Sequence, residues 1–432
     1  MIRHPSIYSG ADMLILILGR HLLWTGPEGT WWYDDTVTWI TGLLVLGWLT
    51  WFLVRSYLRA RGLRRRPGRT NYRLLKRTVR IKRELSSQYL RPGFSGNIHA
   101  VGIGVLGGDY CIQVFLNDAD NELWAGSGAA ALPNSYRGVP VVPIEMPMAA
   151  FLSDAGLSSV VMAPEYSHGI REPQEVIIGG ISEAHTSLSG QSGTIGYFCT
   201  RKSKLPRRKE VHLLSNRHVF ADLSKAIVDG ADLIVQPSPG EPASNRPIGT
   251  LVSFSALKFD NDLNDPNYVD AAIAKLWTPL VHKPLIPLIG AVRGYVATKD
   301  VEIGEAVCKF GRTTGYTVGK ILSIFVDIRI RYDRTGQSAF FQDQFLIEPD
   351  LAQFTKFVSG GDSGSLLVDA EQHAIGLIFA GMSELPESLR ISSNTAVTGI
   401  DAPTDRPKRI ESYGVANPIS EVLDRLKIEL LV

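Results

Sequence analysis

Residues 359–368 read Ser-Gly-Gly-Asp-Ser-Gly-Ser-Leu-Leu-Val, in which a small polar turn leads directly into an apolar run. Such a run after a glycine-rich turn is typical of a strand that leaves a tight loop. The glycines let the backbone turn sharply, so that the amides of Gly361 and Ser363 can point at one spot and stabilise a negatively charged oxygen. The stretch therefore predicts a nucleophile, Ser363, on a loop that precedes a strand.

A serine hydroxyl is a weak nucleophile at neutral pH, so it needs a neighbouring base and a carboxylate that orients this base. His218 follows the short apolar run Leu213–Leu214 on a polar turn, and Asp270 precedes the apolar run Ala271–Ala274. An acid next to an apolar strand is costly to bury unless it is paired. Three competing acids lie in a polar loop and are expected to be solvated: Asp260, Asp262 and Asp265.

The chain order His, Asp, Ser is one of the known triad orders and belongs to the double β-barrel of the chymotrypsin type. From residue 97 onward, short apolar stretches alternate with Gly, Asn, Asp and Pro, and the chain holds 41 glycines and 24 prolines. This pattern is typical of antiparallel β structure. We therefore predict a mainly β fold with two six-stranded barrels over about residues 175–415, closed by a C-terminal helix at Ile419–Leu430.

The segments SNRHVFAD, YVDAAIAKL and SGGDSGSLLVD resemble those of trypsin-like, chymotrypsin-fold serine peptidases. Further segments, among them VCKFGRTTGYTVGKI and VANPISEVLDRL, are similar to the bacterial group related to the plant NARROW LEAF protein, and this likeness covers about residues 97–432. The resemblance implies that His218 is the general base, Asp270 its orienter and Ser363 the nucleophile. It also implies oxyanion donors at the Gly361 and Ser363 amides, a protein or peptide substrate, and no cofactor or metal.

The resemblance also points to a substrate pocket. In trypsin-like enzymes the residue six before the serine lies at the base of this pocket, and here that residue is Phe357. Phe379, Ala380 and Gly381 would line its wall. Because none of these residues is charged, we expect a small or apolar side chain before the cleaved bond rather than Arg or Lys.

Two glycine-containing segments have competing interpretations. Residues 177–180, Ile-Ile-Gly-Gly, are similar to the new amino terminus of activated trypsins, but Glu175 and Val176 precede them, so an ordinary first strand is favoured. Residues 311–315, Gly-Arg-Thr-Thr-Gly, lack the full phosphate-binding motif, so a tight hairpin connection in the second barrel is favoured.

Residues 36–54 read TVTWITGLLVLGWLTWFLV without a charge and would span about 28 Å as a helix. We predict a transmembrane helix here, within an anchor of residues 1–54. A buried core helix and a cleaved signal peptide are less favoured, because the run is long, flanked by tryptophans and far from Met1. Acids precede the run and arginines follow it, which predicts a single-pass inner-membrane protein with its remainder in the cytoplasm. Whether residues 11–24 form a second membrane segment stays open.

Residues 55–96 are strongly basic, with thirteen Lys or Arg residues from Arg55 to Arg83 before the first acid, Glu84. We predict a juxtamembrane helix and linker along the anionic lipid bilayer. Nucleic-acid binding is the less favoured alternative, because no aromatic interleaving or reading motif accompanies the charges. The three cysteines, Cys111, Cys199 and Cys308, have no paired spacing and predict neither a disulfide framework nor a zinc site.

The remaining chain is predicted to divide into a small α+β pre-domain at residues 97–174 and a protease domain at residues 175–432. The combined prediction is a membrane-tethered serine endopeptidase, gated by the pre-domain or by a regulatory partner, as a defence or stress-response effector requires. The alternative is a catalytically latent or inactive protease-fold module that binds or scaffolds at the membrane.

Overall fold

The protein is represented by a computed structural model, which describes residues 63–64, 72–91, 98–116, 132–151, 169–187, 192–202, 210–221, 223, 232–332, 337–383 and 410–432. All of them belong to one compact unit, Arg59–Val432. The predicted transmembrane helix at residues 36–54 lies outside the described residues. Among the helices of the described part, none combines the length and the apolar character needed to cross a membrane.

The described chain is mainly β, as predicted. The strands, in chain order, are β1 (Leu63–Arg64), β2 (Ile98–Leu106), β3 (Asp109–Leu116), β4 (Ser135–Tyr136), β5 (Val139–Glu145), β6 (Ala150–Phe151), β7 (Val176–Ile177), β8 (Ser182–His185), β9 (Gly193–Thr194), β10 (Tyr197–Arg201), β11 (His212–Ser215), β12 (Leu233–Gln236), β13 (Arg246–Phe254), β14 (Ala272–Leu276), β15 (Val281–His282), β16 (Tyr295–Val296), β17 (Ala306–Gly311), β18 (Gly315–Tyr332), β19 (Gln337–Pro349), β20 (Leu366–Asp369), β21 (Ala374–Ser383), β22 (Ser412–Pro418) and β23 (Ile428–Leu430). The α-helices are α1 (Tyr72–Tyr89), α2 (Arg217–Phe220) and α3 (Ile419–Arg425).

The first barrel is built from an eight-stranded sheet in the order β23-β10-β11-β14-β13-β12-β8-β9. Strands β9 and β10 are nearly continuous along the chain, and this stretch pairs with β8 at one end and with β11 at the other. Between them, Ile195 N–H donates to Ile181 O and Gly196 N–H to Leu214 O. The sheet therefore closes on itself as an antiparallel barrel, whose interior holds an apolar cluster that includes Phe198.

The second barrel closes within a thirteen-stranded sheet. Six strands pair antiparallel in a ring, in the order β17-β18-β19-β22-β21-β20 and back to β17. Closure leaves these six strands without a free edge inside the ring. The predicted double antiparallel barrel is thus confirmed, and its two halves are joined by the chain between β14 and β17.

The predicted pre-domain extends the second barrel's sheet. Strand β2 pairs with the long strand β18, and β3, β5 and β4 continue from β2. Its last described strand, β6, pairs with both β18 and β21 of the ring. The predicted division at residue 174 stays a prediction, but the described strands before it share one sheet with the second barrel.

The basic segment of residues 55–96 contains helix α1, and before it Leu63–Arg64 forms strand β1 beside β16. The apolar face of α1 packs on β2 and β3. Not all of its basic residues face outward, since Lys82 is buried and pairs with Asp327 at 2.6 Å. The exposed basic residues share the opposite face, at helical spacing: Arg73, Lys76, Arg77, Arg80 and Arg83.

The C-terminal helix is confirmed, but the predicted end at Leu430 is wrong. Helix α3 ends at Arg425, and Lys427 takes a positive φ of 54° that a continuing helix excludes. Residues Ile428–Leu430 instead pair with β10 in the first barrel. Helical spacing of apolar residues could not reveal this change, because Ile428 and Leu430 also fit the alternation of a strand.

Candidate active site

The structure brings the three residues predicted as a triad together between the barrels. His218 Nε2 lies 2.8 Å from Ser363 Oγ, and His218 Nδ1 is hydrogen-bonded to Asp270 Oδ2. His218 lies on α2, directly after β11, and Asp270 lies before β14, so both come from the first barrel. Ser363 precedes β20 of the second barrel. Within the described chain, the three competing acids have other partners: Asp260 accepts Ser338 N–H, Asp262 accepts Asn264 N–H, and Asp265 pairs with Lys258.

Asp270 is fully buried and is held in place from both barrels. Its Oδ1 accepts the backbone N–H of His218 at 3.2 Å, and its own N–H donates to Asn417 Oδ1 at 2.9 Å. Asn216 Nδ2 donates to the Asp270 carbonyl oxygen at 2.7 Å. Since Asn417 lies on β22, this contact ties the orienting acid of the first barrel to the second barrel.

In the loop before Ser363, two backbone N–H groups point away from the side on which the preceding carbonyl oxygens are hydrogen-bonded. The carbonyl oxygen of Gly360 accepts the Thr313 hydroxyl, and that of Asp362 accepts Ser365 N–H at 3.0 Å. A trans peptide points its N–H opposite to its carbonyl, so the N–H groups of Gly361 and Ser363 point the other way. Gly361 takes a φ of 91°, and a Cβ there would lie 2.5 Å from Thr313 Oγ1. The assignment of these amides as an oxyanion hole stays a prediction, which this loop geometry permits.

Asp362, directly before Ser363, is a buried carboxylate that the second barrel satisfies completely. Its Oδ1 accepts the backbone N–H groups of Thr313 and Thr314 at 2.9 Å and 3.0 Å. Its Oδ2 accepts Ser359 N–H at 2.9 Å and Lys309 Nζ at 3.3 Å. Burial lowers the pKa of Lys309, and the charge of Asp362 opposes that shift.

The structure describes both glycine-containing segments. Residues 311–315 form the hairpin between β17 and β18, as predicted, and that hairpin encloses Asp362. Of residues 177–180, only Ile177 belongs to a strand, β7, which pairs with β15, and Gly179 and Gly180 form a turn. Because Lys309 already supplies the cation beside Asp362, the loop needs no newly formed amino terminus to neutralise this acid.

The predicted pocket residues fall into two apolar clusters. Phe357 is fully buried in the second barrel, in a cluster with Ile321, Ile347 and others. Phe379 and Ala380 belong to a second cluster, in which the Phe379 ring lies 4.8 Å from that of Phe341. The carbonyl oxygen of Phe379 lies 3.3 Å from Ser363 Oγ, so Phe379 is beside the predicted nucleophile. The assignment of all four residues to one pocket stays a prediction.

Among the described residues, three can bring metal-ligating atoms close together: Asp369, Glu371 and His373, within 4.8 Å of one another. They lie on the turn between β20 and β21. Asp369 Oδ1 accepts the backbone N–H groups of Glu371 and His373, so the turn itself accounts for the arrangement.

A further buried acid, Glu183, lies on β8 of the first barrel. It is fully buried, and this burial raises the pKa of its carboxyl to about 8, while the nearby Ser215 hydroxyl opposes the shift. Ser215 in turn donates to Thr194 O at 2.9 Å, and Thr194 N–H donates to Ser363 O at 2.8 Å. The protonated acid thus lies beneath the strands that support the nucleophile.

Sequence reasoning missed Lys309, Asn417 and Phe151, whose ring packs on His218 at 5.0 Å between centroids. Lys309 alternates with apolar neighbours in β17, and a lysine that interrupts an apolar strand was the available signal. Asn417 and Phe151 carry no local signal, because an asparagine before a proline and a phenylalanine in a mixed segment are common in loops.

Comparison with protein-family models gave no match, and comparison with curated proteins gave none. Among solved structures, this chain is similar to Thermobifida fusca Protease A, at 17% identity and a TM-score of 0.35 over 60% of this chain and 99% of the other. It is also similar to a Cellulomonas bogoriensis chymotrypsin, at 17% identity and a TM-score of 0.33 over 59% and 98% of the two chains. A third is Nocardiopsis protease (NAPase), at 15% identity and a TM-score of 0.34 over 59% and 99%. At these low identities and scores, the functional proposal depends on the contacts of this chain's own residues.

Replacing Lys309 by Met is expected to slow the reaction of Ser363 with a fluorophosphonate about 100-fold, because the loop shifts when Asp362 loses its cation. Lys275→Met is the control, since Lys275 is an exposed lysine whose partner, Glu210, is also exposed. The double variant Lys309→Met, Asp362→Asn removes the unpaired charge and should recover part of the rate. An unchanged rate in a folded Lys309→Met protein would show that the pair does not position the loop.

Glu183→Gln tests the buried acid. Its folded pKa of about 8 lies above the ordinary value, so the native state binds the extra proton between about pH 4.5 and 8 and loses stability as pH rises through that window. Relative to wild type, the unfolding free energy of the variant should therefore increase by about 1.4 kcal/mol per pH unit there. Denaturant unfolding at several pH values measures this difference. A pH-independent difference would contradict the raised pKa.

Proposed function

We propose that this chain is a serine endopeptidase that hydrolyses peptide bonds through an acyl-enzyme on Ser363. The observation that carries the proposal is the unbroken hydrogen-bonded line from Asp270 through His218 to Ser363 at the barrel interface. Burying an acid and a histidine between two barrels is costly. A module that only binds peptides gains nothing from this line, so the peptidase is favoured over the binding or scaffold module.

Each residue of the line has a defined part in the proposed reaction. Ser363 Oγ attacks the carbonyl carbon of the substrate, and its proton passes to His218 Nε2. Asp270 accepts the Nδ1–H of the imidazolium and holds the ring with Nε2 toward Ser363. The amides of Gly361 and Ser363 donate to the oxyanion, and His218 then gives its proton to the leaving amine. Water, activated by His218, releases the acyl group in the second half of the cycle.

A fluorophosphonate tests this assignment, because it reacts only with an activated serine. We expect labelling of wild type at Ser363 and its loss in Ser363→Ala. The chain offers a matched control in a second histidine–acid–serine group, in which His185 Nε2 bonds to Asp232 at 2.9 Å and Nδ1 lies 2.8 Å from Ser187 Oγ. In that group His185 Nδ1 already accepts the backbone N–H of Ser187.

Ser187→Ala should therefore leave labelling unchanged. Labelling that survives Ser363→Ala, or that maps by mass spectrometry to Ser187, would overturn the assignment of the nucleophile. The substrate specificity expected from Phe357, Phe379, Ala380 and Gly381 is part of the same proposal: a small or apolar residue before the cleaved bond. A peptide library incubated with the labelling-competent protein measures this preference.

We also propose that the chain is tethered to the inner membrane through residues 36–54, with its peptidase part in the cytoplasm. The uncharged span and the arginines that follow it support this placement. Helix α1 adds an exposed basic face, including Arg73, Lys76 and Arg80, which suits an anionic lipid surface.

The full chain is expected to remain in the membrane fraction after carbonate extraction, and a variant lacking residues 1–54 to leave it. Protease added to sealed inside-out vesicles should digest the C-terminal part, and protease added to right-side-out vesicles should spare it. Release of the full chain by carbonate would exclude the tether, and the reverse digestion pattern would exclude the orientation.

A further inference from the structure

A short strand of the chain itself lies along the edge of β21 next to the nucleophile. In this pairing Ala380 is opposite Phe151 and Gly381 is opposite Ala150, antiparallel. A strand has two edges, and β22 occupies one edge of β21 from residue 376 to 383. Strand β6 therefore lies on the other edge, where β20 pairs up to Leu366 opposite Leu377 and then ends. This is the edge that faces Ser363, whose Oγ lies 3.3 Å from the carbonyl oxygen of Phe379.

The side chain of Phe151 reaches the catalytic base. Its ring lies 5.0 Å from the His218 ring, and 6.2 Å from each of the Phe341 and Phe379 rings. The Tyr332 ring closes the fourth side at 5.4 Å. With Phe151 in place, Ser363 has no exposed surface and His218 is 5% exposed. The base that must act on a substrate thus packs against a residue of its own chain, beside a nucleophile that has no exposed surface.

The segment that carries Phe151, residues 146–151, is tied to the sheet on both sides. Arg331 N–H donates to Ala149 O at 2.9 Å, next to the pairing of Ala150 with β18. Met146 N–H donates to Leu116 O at 2.8 Å, and His99 Nε2–H donates to Met146 O at 2.7 Å. Burial lowers the pKa of His99 to about 4, so this imidazole is a neutral donor at pH 7.

Extended peptides bind proteins by adding a strand to a free edge, with backbone bonds supplying affinity and side-chain pockets supplying specificity. The edge at residues 380–381 is next to Ser363 and has both features. We propose that residues 146–151 are an internal peptide ligand of the substrate cleft, seated with Ala150 on Gly381 and with the Phe151 ring in an aromatic pocket formed by His218, Phe341 and Phe379. This inference rests on the proposed peptidase function.

The proposal defines a class of substrate and a condition for cleavage. A peptide that replaces the internal ligand must be extended, with a small residue followed by an aromatic one, because that pair fills the edge and the pocket. The internal ligand must first leave the cleft, so the apparent affinity for any substrate is reduced by the fraction of molecules in which the cleft is covered. The gating predicted for the pre-domain then depends on the contact between Phe151 and His218.

Phe151→Ala in the full chain tests the covering. Loss of the ring should speed fluorophosphonate labelling of Ser363 at least about tenfold over wild type, because the segment leaves the cleft more often. Phe259→Ala is the matched control. Phe259 belongs to the same apolar cluster and also packs on Tyr332, at 5.5 Å, but it is outside the strand that covers the nucleophile. This control should label at the wild-type rate.

A synthetic peptide with the sequence of residues 146–151, Met-Pro-Met-Ala-Ala-Phe, gives a second measurement that does not depend on the fold of a variant. Added to Phe151→Ala, it should restore slow labelling in a concentration-dependent manner, and the same peptide with Ala in place of Phe should not. A peptide library should also show enrichment of a small residue followed by an aromatic one ahead of the cleaved bond.

The outcomes separate the two proposals. Equal labelling rates of wild type and Phe151→Ala, with no effect of the peptide, would refute the internal ligand and leave the peptidase intact. Absence of Ser363 labelling in wild type and in Phe151→Ala alike would refute the peptidase itself. Faster labelling in Phe259→Ala to the same extent would show general loosening of the cluster, and it would also refute the internal ligand.

Discussion

The buried carboxylate of Asp362 is the constraint on which the nucleophile loop depends. An uncompensated charge in the interior of a barrel is very costly, so every part of the loop must stay where it satisfies this acid. Lys309 supplies the opposite charge from β17, and the hairpin that follows β17 supplies two backbone donors. Ser363 is the next residue, and its backbone is therefore fixed by contacts that involve no substrate.

A second constraint joins the two barrels. His218 and Asp270 come from the first barrel, and Ser363 comes from the second, so the distance between base and nucleophile depends on how the barrels pack. The bond from Asp270 N–H to Asn417 Oδ1 crosses this interface at the site itself. Gly364, which takes a φ of 94°, lets the loop after Ser363 approach Thr194 and Ser215 of the first barrel. The contacts that hold the two barrels together at this interface therefore also set the positions of His218, Asp270 and Ser363 relative to one another.

The strands of the predicted pre-domain determine which strand edge next to Ser363 is already paired. Strands β2 to β5 extend the sheet of the second barrel, and this extension delivers β6 to the edge of β21. An exposed strand edge next to Ser363 would be open to pairing with another extended chain. Pairing that edge within the molecule removes the hazard, and under the proposed internal ligand, access to Ser363 depends on the aromatic contact of Phe151 with His218.

Much of the fold and of the site could be predicted because it depends on patterns of neighbouring residues in the sequence. The alternation of apolar residues and turns predicted the two barrels, and the glycines around Ser363, with the chain order of His218 and Asp270, predicted the three side chains that meet. The signals missed at Lys309, Asn417 and Phe151 are not local, since these residues meet their partners across the sheets. The end of α3 was misjudged for a related reason, because Ile428–Leu430 suits both helix and strand, and only the free edge of β10 decides between them.

The sequence by itself thus determined which chemical groups the chain carries and in what order. Only the tertiary structure decided which of them are buried against each other, because burial, charge pairing and edge pairing depend on segments that lie far apart in the chain.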